Sequence, residues 1–129
     1  MTTPSGDTTI EPPGFDHLRP AIAFGVVVLV VSVVPVPGAA SEPSAAAGLG
    51  VTAVFHVVGY AILAALLTRG TNPSLVGLVV AAGVATAFGF GIELLQAPIP
   101  WRSFAWPDVV LNAIGAVLGV AAVAVELNR

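Results

Sequence analysis

The sequence predicts an all-α membrane protein built as a bundle of four transmembrane helices. Three observations predict it. First, 57% of the 129 residues are hydrophobic and only 9% are charged, with a mean hydropathy of +0.99. A soluble domain carries about 25% charged residues to cover its surface, so this chain has too few polar groups for a water-facing exterior. Second, the apolar residues gather into four long runs, which read as membrane spans. Third, all eleven prolines fall in the N-terminal segment, in loops or at run ends, where a missing N–H costs little.

The elements follow in order. Residues 1–19 are polar and carry Asp7, Glu11 and Asp16. They hold too little apolar material to bury, which predicts a disordered tail ahead of a membrane domain over 20–127. The first run, 21–34, starts after Arg19-Pro20 and ends at Pro35-Val36-Pro37-Gly38. It is short of the ~20 residues that cross a bilayer, and local thinning of the membrane accommodates it. A signal peptide cleaved near Gly38-Ala39-Ala40-Ser41 is the alternative. A long, net acidic leader speaks against it, because a signal sequence needs a basic start. A loop with Glu42 leads to the second run, 49–67, closed by Arg69-Gly70. The turn Thr71-Asn72-Pro73-Ser74 precedes the third, 75–95, and the segment from Pro98 to Pro107 separates it from the fourth, 108–125.

Arginine placement sets the expected orientation. Arg19, Arg69 and Arg129 share one side of a four-span bundle, and Arg102 stands alone on the other. The positive-inside rule then puts both termini in the cytoplasm of a protein of the cell membrane. The chain has no cysteine, which excludes disulfides, thiolate metal sites and thiol chemistry. It has no lysine, four scattered arginines and a net charge of −3, so no nucleic-acid partner is expected.

Glu93 is the most informative residue. An ionisable group well inside a span costs ~2.5–3.5 kcal/mol on insertion scales and is expected to face the bundle interior or a wet cavity. Gln96, three residues on, shares its face, and Gly89 and Gly91 just before it allow close helix approach. A purely structural hydrogen-bonding pair is the other reading. His56 and Tyr60 stand at i and i+4 on the second run, where either an interfacial anchor or a functional pair fits. Asp108, Asn112, Gly115 and Gly119 form one stripe on the fourth. Gly115 and Gly119 make a GxxxG packing motif, which is also a face for pairing two copies of the chain. Asp108 follows Pro107 at a helix start, where capping is a structural alternative. Arg102 lies between Trp101 and Trp106, two natural interfacial anchors. At ~1.5 Å per residue, His56, Tyr60, Glu93, Gln96, Arg102, Asp108 and Asn112 all fall within about two turns of one membrane face. The inference is a wet pocket at head-group depth.

These residues carry a resemblance. His56-x-x-x-Tyr60, Gly91-Ile92-Glu93-Leu94-Leu95-Gln96, Pro100-Trp101-Arg102 and Asp108-x-x-x-Asn112-x-x-Gly115-x-x-x-Gly119, in that order, resemble the VanZ-like family of small membrane proteins over about residues 20–126. The chain departs from it at Thr52-Ala53, where members often carry an acidic-Lys pair, and at Val57, where they often carry Phe. The resemblance implies a multi-pass protein of the cell envelope whose polar residues act on phosphate-linked lipid head groups. The family's founding member is associated with resistance to teicoplanin-type glycopeptides.

Two functions stand against each other at this point. In an enzyme, Arg102 would clamp the phosphate bidentately, and Glu93 or His56 would serve as general base. Asp108, Asn112 and Gln96 would then orient the base or the attacking group, with Tyr60 beside them at the substrate. In a non-catalytic protein, the same pocket would bind a lipid, a lipid-linked precursor or a partner bundle. Glu93, Asp108 and His56 could instead hold a divalent cation, although no metal-ligand spacing motif is present, and the sequence identifies no cofactor. Transport fits poorly, since no polar stripe continues into the other half of the bundle.

Overall fold

The computed structural model describes residues 15–35 and 47–129. Among them are four helices, α1 (Arg19–Val33), α2 (Ala47–Arg69), α3 (Leu75–Gln96) and α4 (Trp106–Leu127), and no strand. All four spans are long and apolar enough to cross a membrane. The protein is therefore an all-α, multi-pass membrane protein, as its composition demands.

The first span is longer than its apolar run. A 3-10 turn over Phe15–Leu18 leads directly into α1, so the continuous stretch Phe15–Val33 has 19 residues. Pro20 sits inside the first turn of α1, where its fixed φ suits a helix and its missing N–H has no intrahelical partner to lose. Pro107 plays the same part in α4. The tail expected over 1–19 thus ends earlier in structural terms: Phe15–Leu18 is a 3-10 turn and Arg19 is already helical. Its remaining residues, 1–14, lie outside the described residues, as do Glu42 and the alternative cleavage region Gly38–Ser41. Between α2 and α3, the Ser74 hydroxyl caps α3 by accepting from the Gly77 N–H at 3.1 Å.

The helices run up and down. α2 and α4 are parallel and form the closest pair. A Cβ at Gly115 would stand 3.0 Å from Val57 Cα, and one at Gly119 would stand 2.9 Å from Ala61 Cα. The two glycines therefore let backbone pack on backbone, which is the use of GxxxG expected from the sequence. The face considered for pairing two copies is filled by α2 of the same chain. Gly89 has the same role between α3 and the side chains of Tyr60 and Asn112, whereas nothing stands within 4 Å of a Cβ at Gly91. Ala64, Ala85 and Ala116 are completely buried around Tyr60 and Leu63, with Phe24, Val28, Leu67, Phe88 and Val120 packed over them. Small residues thus line the axis of the bundle. The large aliphatics, among them Val26, Val30, Val54, Val79, Leu94 and Val117, point outward, as a lipid solvent allows.

Both ends of the bundle are tied by polar groups. At the end holding the α1 N-terminus, Arg69 pairs with Glu126 across α2 and α4, and Arg19 pairs with Asp16 at 3.0 Å. The other end, where α1 and α3 finish and α2 and α4 begin, holds the polar cluster.

Candidate functional site

Glu93 enters the site from the last turn of α3 and is only 1% exposed. Its Oε2 accepts a hydrogen bond from the Ala105 backbone N–H at 3.1 Å. Ala105 is the extended residue that opens α4, so the loop returning from α3 delivers an otherwise orphaned amide to the carboxylate. The other oxygen, Oε1, is buried and has no hydrogen-bond partner among the described residues.

His56 comes from the facing side of α2. Its Nδ1 lies 2.7 Å from Asn112 Oδ1. An amide oxygen only accepts, so Nδ1 carries the hydrogen and donates it, and in the neutral ring the lone pair stands on Nε2. Nε2 lies 3.5 Å from Asp108 Oδ2. Asp108 sits in the first turn of α4, where the helix dipole favours a carboxylate. It does not cap the helix: α4 starts at Ala105 with no side-chain cap bond. The capping alternative for Asp108 therefore gives way to a contact with His56.

These three side chains converge. One ligand-type atom each from His56, Glu93 and Asp108 lie within 4.8 Å of one another. Glu93 is buried, whereas His56 and Asp108 keep 21% and 25% of their side-chain surface, so the cluster runs from the interior to an open edge. Asn112, 1% exposed, stands behind His56, and its Nδ2 has no partner among the described residues. Tyr60 is buried one turn below His56, with the two rings parallel and their centroids 6.5 Å apart. The i, i+4 spacing on α2 stacks them, and Gly89 on α3 leaves the room that the Tyr60 ring and the Asn112 amide occupy.

Gln96 and Arg102 have different partners. Gln96 Nε2 donates to the Ser32 carbonyl at 2.8 Å, and Arg102 Nη2 donates to the carbonyls of Val31 and Val34 at 3.4 and 3.3 Å. Trp101 Nε1 adds a bond to the Val33 carbonyl at 3.2 Å. Together they satisfy the carbonyls that α1 leaves open at its C-terminus. The seven polar residues expected in one pocket thus form two neighbouring groups. His56, Tyr60, Glu93, Asp108 and Asn112 make the cluster between α2, α3 and α4, and Gln96 and Arg102 brace α1 against it. Among the described residues Arg102 bonds through one nitrogen, Nη2, and its partners there are neutral carbonyls.

Two contributions escaped sequence reasoning. The Ala105 amide is a backbone group, and nothing in its side chain marks it. Trp101 was expected as a membrane anchor, and it is exposed as an anchor should be, but its indole N–H also caps α1. A Gln-x-x-x-x-Trp-Arg string just after a span, rich in donors and poor in acceptors, is the signal that could have pointed to open carbonyls nearby.

No significant match was found among curated proteins or solved structures. The family model described as VanZ/LLP1 matches residues 18–126, which takes in all four helices, the cluster and the brace. With more than four-fifths of its length and every residue of the site inside that match, the chain belongs to the VanZ/LLP1 family.

Proposed function

We propose that this protein acts on phosphate-linked lipid head groups at the outer face of the cell membrane, with both termini in the cytoplasm. The observation that carries the reading is the convergence of buried Glu93 with His56 and Asp108 at the open end of the bundle. An ionisable side chain buried within a membrane span is costly, and such residues mark functional sites. This one keeps an oxygen without a partner among the described residues, and its carboxylate stands within 4.8 Å of ligand atoms of a histidine and a second acid. Asn112 fixes the His56 ring so that Nε2 is the proton-accepting atom.

In the reaction this arrangement suits, the oxygen of a water or an alcohol attacks phosphorus and the bond from phosphorus to the leaving oxygen breaks. The proton released by the nucleophile passes to the His56, Glu93 and Asp108 group and from there to the leaving oxygen. Arg102, beside the cluster on the α3–α4 loop, offers its remaining N–H donors to the phosphate. Three arginines against one across the bundle support the orientation.

A non-catalytic binding role is the second reading, favoured by the structural use of Gln96, Trp101 and Arg102 on the α1 carbonyls. Glu93→Gln separates the two, because it keeps shape and removes charge. Lipid mass spectrometry compares cells expressing the wild type or Glu93→Gln at matched membrane levels. A head-group species that changes with the wild type and not with the variant is the expected result. Identical profiles would overturn the catalytic reading. A binder would tolerate Glu93→Gln and fail on Arg102→Ala.

A further inference from the structure

We infer that His56, Glu93 and Asp108 form a binding site for a divalent transition-metal ion such as Zn²⁺ or Mn²⁺. The inference stands on side-chain geometry and does not depend on the head-group reading. Metal binding without lipid turnover would leave it intact while overturning that reading.

The first ground is distance. Ligand atoms about 2.0–2.2 Å from one tetrahedral ion stand about 3.3–3.6 Å apart. His56 Nε2 and Asp108 Oδ2 are 3.5 Å apart. That is long for a direct hydrogen bond and right for two ligands of one ion. The third donor, from Glu93, lies within 4.8 Å of both, so a rotamer adjustment of about 1 Å completes the set.

The second ground is the unpartnered oxygen. Glu93 is 1% exposed, and its Oε1 has no partner among the described residues. A buried polar atom of this kind is rare, and an ion is one of the few things that satisfies it. The site also brings two carboxylates together, one of them fully buried, with a histidine as the basic group between them. A dication offsets both charges where a single imidazolium offsets one.

The third ground is the set of outer contacts. Ligating histidines almost always donate their other ring N–H to a fixed acceptor, and ligating carboxylates are held by a hydrogen bond on the free oxygen. His56 meets the first condition and Glu93 the second. His56 Nδ1 donates to Asn112 Oδ1 at 2.7 Å, which leaves Nε2 as the donor atom toward Asp108. Glu93 Oε2 is held by the Ala105 N–H, which leaves Oε1 as its donor atom. One imidazole and two carboxylates suit Zn²⁺ or Mn²⁺ better than a thiol-seeking or an all-oxygen ion. Three protein ligands leave a further position for water or a phosphate oxygen. An ion bound there would activate a nucleophile by coordination in place of direct proton abstraction.

The test uses the full-length protein purified in detergent, stripped with chelator and dialysed against Zn²⁺ or Co²⁺ alone. Metal content is read by mass spectrometry and the coordination by the visible spectrum of Co²⁺. The wild type and His17→Ala should each retain one equivalent, with a Co²⁺ spectrum of low coordination number. Glu93→Gln should lose it, and Asn112→Ala should bind about 10- to 100-fold more weakly because it removes only the outer contact. Circular dichroism checks that each variant is folded. Should Glu93→Gln fail to fold, Asp108→Asn at the open edge replaces it and should also lose the ion. An unloaded wild type, binding that persists in a folded Glu93→Gln or Asp108→Asn, or binding that disappears in His17→Ala would each overturn the inference.

Discussion

A single methyl group at position 115 tests how the bundle holds its site together. In Gly115→Ala the new Cβ would stand 3.0 Å from both the Cα and the carbonyl carbon of Val57, and closer still to the carbonyl oxygen. Carbon atoms in comfortable contact are about 3.5–4.0 Å apart, so α4 must retreat from α2 by about 0.5–1 Å. The obstacle is backbone, which cannot swing aside. Overpacking of this kind costs about 1–3 kcal/mol, and the better helix propensity of Ala returns about 1 kcal/mol. The net loss is therefore about 1 kcal/mol, and more when Gly119→Ala is added, since that Cβ would meet the Ala61 carbonyl carbon at 2.8 Å. The site registers the same movement. His56 and Asn112 bridge the same two helices less than one turn away, at 2.7 Å. A retreat of about 0.5–1 Å takes that bond to the edge of hydrogen-bonding distance. Thermal unfolding in detergent measures the first effect, and the ¹⁵N resonance of His56 Nδ1 measures the second. Gly83→Ala is the control, because nothing stands within 4 Å of its Cβ and only helix propensity changes. If Gly115→Ala moved the melting temperature in the same direction and by the same amount as Gly83→Ala, with the His56 resonance unchanged, the tight α2–α4 contact would be refuted.

Further outcomes follow from the brace and the orientation. Gln96→Leu removes the donor to the Ser32 carbonyl while keeping side-chain volume, and it should lower stability by about 1–3 kcal/mol. Denaturant unfolding checks this, and an unchanged midpoint would show that the α1 cap carries no weight. The chain has no cysteine, so single cysteines report topology cleanly. Ser103→Cys should react with a membrane-impermeant maleimide on intact cells, and Asn128→Cys only after permeabilisation; the opposite pattern would invert the orientation.

Much of the fold was legible because lipid as a solvent makes simple demands. Four apolar runs and the placement of the prolines gave the four helices, and the Thr71–Ser74 turn gave the α2–α3 junction. The boundaries were less legible. Pro20 and Pro107 read as punctuation ahead of α1 and α4, yet each lies within the first helical turn, because a proline there has no hydrogen bond to lose. The end of the bundle at which the polar residues gather could be read from the order of the helices, and the structure brings His56, Glu93, Asp108 and Asn112 together there. The division of labour could not be read. Glu93 and Gln96 share a helix face, but one turns to α2 and α4 and the other to the end of α1. That choice depends on which helix ends where, and no local spacing records it.

The brace on α1 has a consequence for how the chain is made. The open carbonyls of α1 belong to residues 31–34, while the groups that cap them come 64 to 71 positions later. At ~5–20 residues per second, synthesis leaves the end of α1 without those partners for about 3–14 s. A bare carbonyl does not rest in hydrocarbon, so the nascent first helix must wait with that end in interfacial water until the α3–α4 hairpin arrives. Residues 96–102 then act as a clasp that closes late on a helix inserted early. A force-sensing arrest sequence placed downstream should register a pull as Arg102 clears the insertion machinery, and Gln96→Leu should weaken it; no pull in the wild type would mean that α1 is held by other contacts.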